Sequence, residues 1–423
     1  MGNPYFIASE SADLQCYPNY SFEIGDVDAD GKMEFASLDQ TGNTLRVHNL
    51  DGALLFEKTL ANNGNWGTAL VAIWDVNNDG RAEIIVPDGK KILVLDGQGR
   101  VLAEREFWGC RKDGYQINIP LLGVAKTPRS PVIVAALAGG VVVALDASLN
   151  TLWETPTNHR DFGHEIHFAD VDGDGFDEIA FCAVDNIGGP PDNNVGEFFL
   201  LDHDGTVMFR RRVGDYFQDT HFDDVAMADF TGDGTCQILV EKGVLLDLKG
   251  NVIWDLSKEM AHGQWIAHAP APDGKGRVGF ISELWGGEGM RSMMFHGRGE
   301  KIRDIKGFPW PKMADADSVA LPARCHTVQW DKNSTPEIFL TQQIVGYGGH
   351  GCDKPRRATL SGLFMDLHGN LIGEMPFEDA QIPGYYYNGE THSKVADVDG
   401  DGRQEIVMVK QDGRVAIIKK RLS

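Results

Sequence analysis

One short pattern, repeated along the chain, constrains the fold more than any other feature. An apolar run leads into Asp-x-Asp-x-Asp-Gly-x-x-Glu, and a second apolar run follows at once. Five segments align on it: FEIGDVDADGKMEFASL from Phe22, LVAIWDVNNDGRAEIIV from Leu70, IHFADVDGDGFDEIAFC from Ile166, VAMADFTGDGTCQILVE from Val225 and SKVADVDGDGRQEIVMV from Ser393. Self-similarity of this kind marks a repeat architecture, in which one small unit is stacked many times. A third apolar stretch usually follows and ends in a turn such as NLDG, LDGQG, DHDG, DLKG or DLHG. A fourth stretch begins just beyond it, as in ALLFEK, RVLAERE, TVMFRRR, NVIWDL and NLIGEM.

Three further units keep this rhythm without the acidic loop. They start near Gln116, Gln264 and His326. Unit starts then fall roughly 40 to 65 residues apart, the length of a four-stranded propeller blade. Helical periodicity is nearly absent. The expected fold is all-β: a β-propeller of four-stranded antiparallel blades, eight in number, or seven if one unit is miscounted. The last unit, from Ser393, has room for three strands only. YFIAS near the N-terminus is expected to supply the fourth, closing the ring and removing an exposed sheet edge. No linker or low-complexity stretch interrupts residues 1–423, so one domain is expected.

Charge bounds the partners. Sixty-two acidic residues against 39 basic ones give a net charge of −23, which disfavours nucleic acid and anionic membranes. The same surplus of carboxylates suits bound cations. No apolar run is long enough for a membrane helix, and the N-terminus shows no basic region followed by an apolar stretch. The chain as written is expected to be a cytoplasmic monomer, or an exported one whose leader has been removed. Six cysteines are scattered without framework spacing, and most are expected to be buried thiols.

The acidic loops place oxygen ligands at loop positions one, three, five and nine, and a glycine lets the loop turn tightly around a hard cation. Four copies are complete: Asp26, Asp28, Asp30 and Glu34; Asp75, Asn77, Asp79 and Glu83; Asp170, Asp172, Asp174 and Glu178; Asp397, Asp399, Asp401 and Glu405. A fifth keeps Asp229 and Asp233 but has Thr231 and Gln237. A lone Asp-Gly turn needs no metal, yet four copies in register with a repeat point to calcium. Its expected role is structural, stapling two strands of a blade. A closing residue at position nine and strand flanks separate these loops from an EF-hand.

These residues carry a family resemblance. The repeats resemble the FG-GAP or VCBS type of calcium-binding propeller blade over nearly the whole chain. GHEIHFADVDGDGFDEIAFCAVDN, with GEFFLLDHDGTVMFRRRV after it, resembles blades of the family-eleven rhamnogalacturonan lyases. HGQWIAHAPAPDGKGRVGFISELW is similar to that family's His-Gly-rich strand entry, with the second His displaced by one residue. Propeller ulvan lyases are a looser comparison. The resemblance implies an eight-bladed propeller with bound calcium that cleaves an acidic glycan. This chain is shorter than the family-eleven enzymes, so some of their loops are missing.

Propeller geometry also sorts candidate chemistry. If the acidic loops join first and second strands, they crowd one face, and the starts of first strands meet the other. His164, His221, His262, His326 and His392 fall just before or at such starts. The long loops of later units carry Trp285, Arg291, Tyr347, Arg356 and Arg357, and the approach to the last unit carries Tyr386. His, Tyr and Arg together suit β-elimination of a uronic-acid glycan. Arg neutralises the carboxylate beside the acidic carbon, and His or Tyr moves protons. His164, His221, His262, Arg291, His326 and Tyr347 are the catalytic candidates, and Trp285, Arg356, Arg357, Tyr386 and His392 the substrate-binding ones. Each His, taken singly, is as well explained as a hydrogen-bonded strand-end residue. His167 and His268 lie deeper, at the place held by Glu23 and Lys394 in other units, and read as a structural polar column. His350 and Cys352, with Cys325 and His326, are candidates for a zinc site. The leading expectation is a polysaccharide lyase acting on an acidic plant or algal glycan. The alternative is a non-catalytic FG-GAP propeller that binds glycan or protein.

Overall fold

The computed structural model describes residues 3–12, 14, 22–38, 43–61, 71–107, 119–185, 196–216, 222, 224–260, 263–283, 291–306, 318–346, 356–382, 392–410 and 413–421. Among these, every sheet is four-stranded and antiparallel, and there are eight of them. The first blade runs Phe22–Gly25, Glu34–Leu38, Thr44–Asn49 and Leu54–Thr59. The fourth runs Asp161–Ala169, Glu178–Val184, Glu197–Leu201 and Val207–Arg212. All the remaining blades but the eighth repeat this sequential order. The first strands of successive blades touch one another all the way round, including the first against the eighth, so they form the inner wall of a closed ring.

Burial explains the strand types. Each described hydrophobic cluster sits between two neighbouring blades. Val47 and Ile84 bridge the first and second, Phe181 joins the fourth to the third, and Phe230 and Phe295 lie between the fifth and sixth. A middle strand therefore has core on both faces and reads as an unbroken apolar run. EFASL (34–38) and EIAFCAV (178–184) are buried at every position. The fourth strands form the outer rim, and LLFEKT and VLAERE alternate between exposed and half-buried.

The eighth blade consists of His392–Ala396, Glu405–Val409, Val415–Lys420 and, from the other end of the chain, Tyr5–Glu10. Tyr5 makes this closure specific. Its ring stacks on Phe364 of the seventh blade at 3.6 Å, and Gly373 leaves room for it, since a Cβ there would stand 2.2 Å from the ring. The Tyr5 hydroxyl donates to Glu337 at 2.9 Å. That carboxylate also accepts from Trp330 Nε1 at 2.6 Å and pairs with Lys420. At the far end of the strand, Glu10 pairs with the buried Lys410 and with Arg414. The closing strand thus fills a cavity and neutralises a buried cation. Tyr5→Ala is expected to cost about 3–5 kcal/mol, the range for removing a buried aromatic ring. Deleting residues 1–10 should cost more, because Lys410 then loses Glu10. Denaturant unfolding checks both, and a truncated chain as stable as the full one would contradict the closure.

Candidate functional site

Each acidic loop joins the first and second strands of its blade and is wired the same way. The residue at position nine pairs with the last residue of the first strand, as Glu34 does with Gly25 and Glu178 with Ala169. Its side chain reaches back to accept the backbone N–H at loop position two: Val27 to Glu34 at 3.0 Å, Val76 to Glu83 at 3.1 Å, Val171 to Glu178 at 2.7 Å, Phe230 to Gln237 at 2.7 Å and Val398 to Glu405 at 3.1 Å. The first Asp accepts from the loop glycine, with Gly31 donating to Asp26 at 2.9 Å and Gly175 to Asp170 at 3.0 Å. Those glycines have φ near +90°, which side-chain-bearing residues rarely adopt.

The copies differ in what meets the second oxygen at position nine. In the fifth blade a neutral amide replaces the acid, and Gln237 Nε2 donates to Thr235 O at 2.7 Å. In the eighth, Lys419 stands between Asp399 at 2.7 Å and Glu405 at 3.2 Å, placing an internal ammonium there. In the second, Asn77 donates to Glu83 at 2.7 Å. In the fourth, Glu178 Oε1 is buried without a partner, on a residue with no exposed surface. Ligand atoms of Asp26, Asp28 and Glu34, of Asp170, Asp172 and Glu178, and of Asp397, Asp399 and Glu405 lie close enough to share one ion. Burial pushes Glu34, Glu83 and Glu178 up to about 7; neighbouring loop carboxylates add to this and the position-two N–H opposes it. These oxygens fit a hard divalent cation, whose charge would offset that crowding of carboxylates.

The centre of the ring is a second polar region. Strand residues repeat on one face every second position. Counting back two residues from the end of each first strand gives Glu23, His167, His268, His326 and Lys394, with Ala72, Gly123 and Ala226 in the other blades. Counting back four gives Glu165, Asp224 and Arg324. Lys394 pairs with Glu23 at 2.9 Å. Arg324 of the seventh blade reaches Glu165 of the fourth at 3.4 Å, so these side chains meet across the ring. His167 Nε2 lies 3.7 Å from Glu165 and 3.5 Å from Asp224, whose other oxygen accepts the Ile266 N–H at 2.7 Å. Trp265 lies beneath the Arg324 guanidinium, 6.0 Å from ring to charge. Glu165, His167 and Asp224 also present ligand atoms within 4.8 Å of one another.

This setting separates the proton affinities. Burial, then Glu165, raises Asp224 well above the usual carboxylate range, with the Ile266 N–H and Arg324 opposing. Burial lowers His167, while Glu165 opposes. His326 falls to about 3 through burial and the nearby Arg324 and Lys394, and His268 to about 4 through burial and Arg277, whose Nε donates to it at 2.6 Å. The imidazole of His167, disposed to stay neutral, therefore stands beside a carboxyl that tends to hold its proton.

Several sequence expectations shift against this geometry. His326 does not open its blade. It is near the end of the strand Ser318–Val328, because that strand continues upstream past a register break between Pro322 and Cys325. His164 likewise lies inside Asp161–Ala169, which also breaks register, between Phe162 and Ile166. His392 does begin its strand. Cys325 packs in the core between the sixth and seventh blades, and the alternation of the strand turns His326 to the other side, so the two do not converge on one ion. Arg291 begins the strand Arg291–His296 and Arg356 and Arg357 begin Arg356–Met365. His221, His262, Trp285, Tyr347, His350, Cys352 and Tyr386 lie outside the described residues. Sequence reasoning missed Glu165, Asp224, Arg324 and Trp265. The signal was there: the first three stand at one fixed offset before their loops, on the same strand face as the histidine column.

Comparison with known proteins agrees with the architecture. Residues 26–86 match the FG-GAP-like repeat family. The chain is 25% identical, over 383 aligned residues, to the rhamnogalacturonan exolyase YesX of Bacillus subtilis, covering 72% of this chain and 57% of that protein. It therefore spans little more than half the length of this relative. Among solved structures, the quinohemoprotein alcohol dehydrogenase ADHIIG of Pseudomonas putida superposes with a TM-score of 0.58 at 11% identity, covering 99% of this chain and 76% of that one. Sqt1 of Saccharomyces cerevisiae superposes with a TM-score of 0.56 at 11% identity over the full length of both chains. These superpositions speak to fold alone. The chain is an eight-bladed β-propeller that carries an FG-GAP-like repeat and is distantly related to a rhamnogalacturonan exolyase.

Proposed function

We propose that this propeller is a polysaccharide lyase, cleaving a uronic-acid-containing glycan by β-elimination at the centre of the ring, on the side away from the acidic loops. The observation that carries the reading is the cluster of Glu165, His167, Asp224 and Arg324, and the distant exolyase relative supports it. In β-elimination a base removes the proton on the carbon beside the carboxylate. A double bond forms as the bond to the glycosidic oxygen breaks, and an acid protonates that oxygen. Arg324 is placed to oppose the charge that grows on the carboxylate. His167, held neutral, is suited to take a proton, and Asp224, whose proton is held tightly, to give one. His221 lies three residues before Asp224, and His262 immediately precedes the strand Gly263–Pro270. With Arg291 they remain proposed partners in the reaction.

Turnover is read as the ultraviolet absorbance of an unsaturated uronate on a panel of acidic polysaccharides. Asp224→Asn and His167→Ala are expected to lower the rate about 10²–10⁴-fold, and Arg324→Ala to lower it about 10²–10³-fold, each with its melting temperature measured alongside. Binding of the glycans without any double-bond formation by the native protein would overturn the lyase and favour the non-catalytic propeller.

We further propose that the acidic loops hold structural calcium. The convergence of ligand oxygens from Asp26, Asp28 and Glu34, repeated in sibling loops, supports this most strongly. Calcium bound only by the folded chain stabilises it by mass action, so chelation should lower the melting temperature, and Asp172→Ala should do so in part with little effect on turnover. The pH dependence has a definite sign. In chelator, Glu34, Glu83 and Glu178 titrate near 7 when folded, against 4.5 ordinarily. Between those values the folded chain holds more protons than the unfolded one, so these groups make stability fall as pH rises. Calcium needs the ionised forms, so its stabilising effect should grow over the same interval. Melting curves from pH 5 to 8, with calcium and with chelator, check this; parallel curves would contradict it.

A further inference from the structure

The fourth-blade loop differs from its siblings in a way that calcium binding does not require. Seven blades have a turn between their third and fourth strands, and the first residue of that turn is usually Asp. Asp96, Asp146, Asp247 and Asp366 cap their own turns, each accepting N–H groups two and four residues ahead at 2.8–2.9 Å. Asp202 occupies the same place and accepts neither bond among the described residues. Thr206 N–H is taken by Asp204 at 2.9 Å instead. Asp202 Oδ1 is buried and has no hydrogen-bond partner.

The next turn residue is Leu50, Gly97, Ala147, Leu248, Gly297 or Leu367 in other blades, and His203 here. Its Nδ1 lies 2.7 Å from Asp202 Oδ1, yet both atoms are without a hydrogen bond. They stand side by side rather than donor to acceptor, as two ligands of one ion do. Asp174 Oδ2 is 3.7 Å from the same nitrogen. Asp174, Glu178 and His203 present ligand atoms within 4.8 Å of one another. The unpartnered Glu178 Oε1 lies on a side chain with no solvent exposure. Contact of the imidazole with Phe176, at 5.2 Å, and a bond from Trp153 Nε1 to His203 O at 3.2 Å hold the histidine in place.

We propose that this loop is a site for a first-row divalent transition ion, ligated by His203 Nδ1 with carboxylates of Asp174, Glu178 and Asp202. Oxygen-only loops suit calcium, whereas an imidazole nitrogen favours the zinc, cobalt and nickel class. The proposal rests on the acidic loops being cation sites and is independent of the lyase reading.

Cobalt(II) is the probe. Full-length protein is stripped of metal, saturated with calcium and titrated with Co²⁺ while its ligand-field absorption is followed. Native protein should take up one tight equivalent, displaced by Zn²⁺. His203→Leu installs the residue of three other blades and should weaken Co²⁺ binding more than about tenfold, while calcium still raises its melting temperature. Asp202→Asn, with the residue type of Asn49, should also weaken it. Equal Co²⁺ affinity in native protein and His203→Leu would overturn the proposal, as would no Co²⁺ uptake by native protein that calcium still stabilises. If neither ion changes the melting temperature or the spectrum, the calcium reading falls with it.

Discussion

The bond on which this propeller turns is the one from loop position two to the side chain at position nine. It spans the first hairpin of five blades, from Val27 to Glu34 through Val398 to Glu405, and does three things together. It satisfies a buried backbone donor that would otherwise cost about 1–3 kcal/mol. It fixes the register of first strand against second. By fixing that register it settles which side chains of the first strand turn toward the centre of the ring, since a slip of one residue would swap both faces. The acidic loop and the central cluster are therefore consequences of one local constraint. The seventh blade shows what happens when the acidic loop is lost. Glu337 keeps its position and takes donors from Trp330, Lys420 and Tyr5 instead, converting the loop clamp into the latch that closes the ring.

The repeat, the eight blades and the closing N-terminal strand were legible because each depends on pattern and count. Middle strands read as apolar runs since both their faces are core, and a last unit one strand short demanded a partner from elsewhere. The centre was less legible. Histidines drew attention as titratable residues, whereas Glu165, Asp224 and Arg324 were lost among 62 acidic and 39 basic residues. Strand starts were also misplaced in two blades. A bulge lets Ser318–Val328 continue upstream, so His326 lies deep in the ring rather than at its mouth, and burial there holds it neutral. Nothing in local composition announces such a bulge. Offset from the acidic loop is the better ruler, because the clamp makes that distance constant.

The loops look alike as sequence yet meet their charge in different ways. Gln237 removes the charge, Lys419 supplies an internal cation, Asn77 shields one oxygen, and Glu178 is left open. A repeat frees each copy to drift in this manner, since every blade interface is separately packed and no one loop must carry the ring. The two polar regions also divide the molecule: oxygen-rich loops at the ends of first strands, and a mixed His, Arg and carboxylate cluster further back along the same strands.

The account makes the loops a graded series rather than equal copies, and anomalous diffraction from crystals grown in calcium tests that most directly. A peak is expected at the loop of Asp26, whose ligands are all oxygens, and none at the loop of Asp229, where the neutral Gln237 stands in place of the closing carboxylate. Equal peaks at all five loops, or none at any, would contradict it.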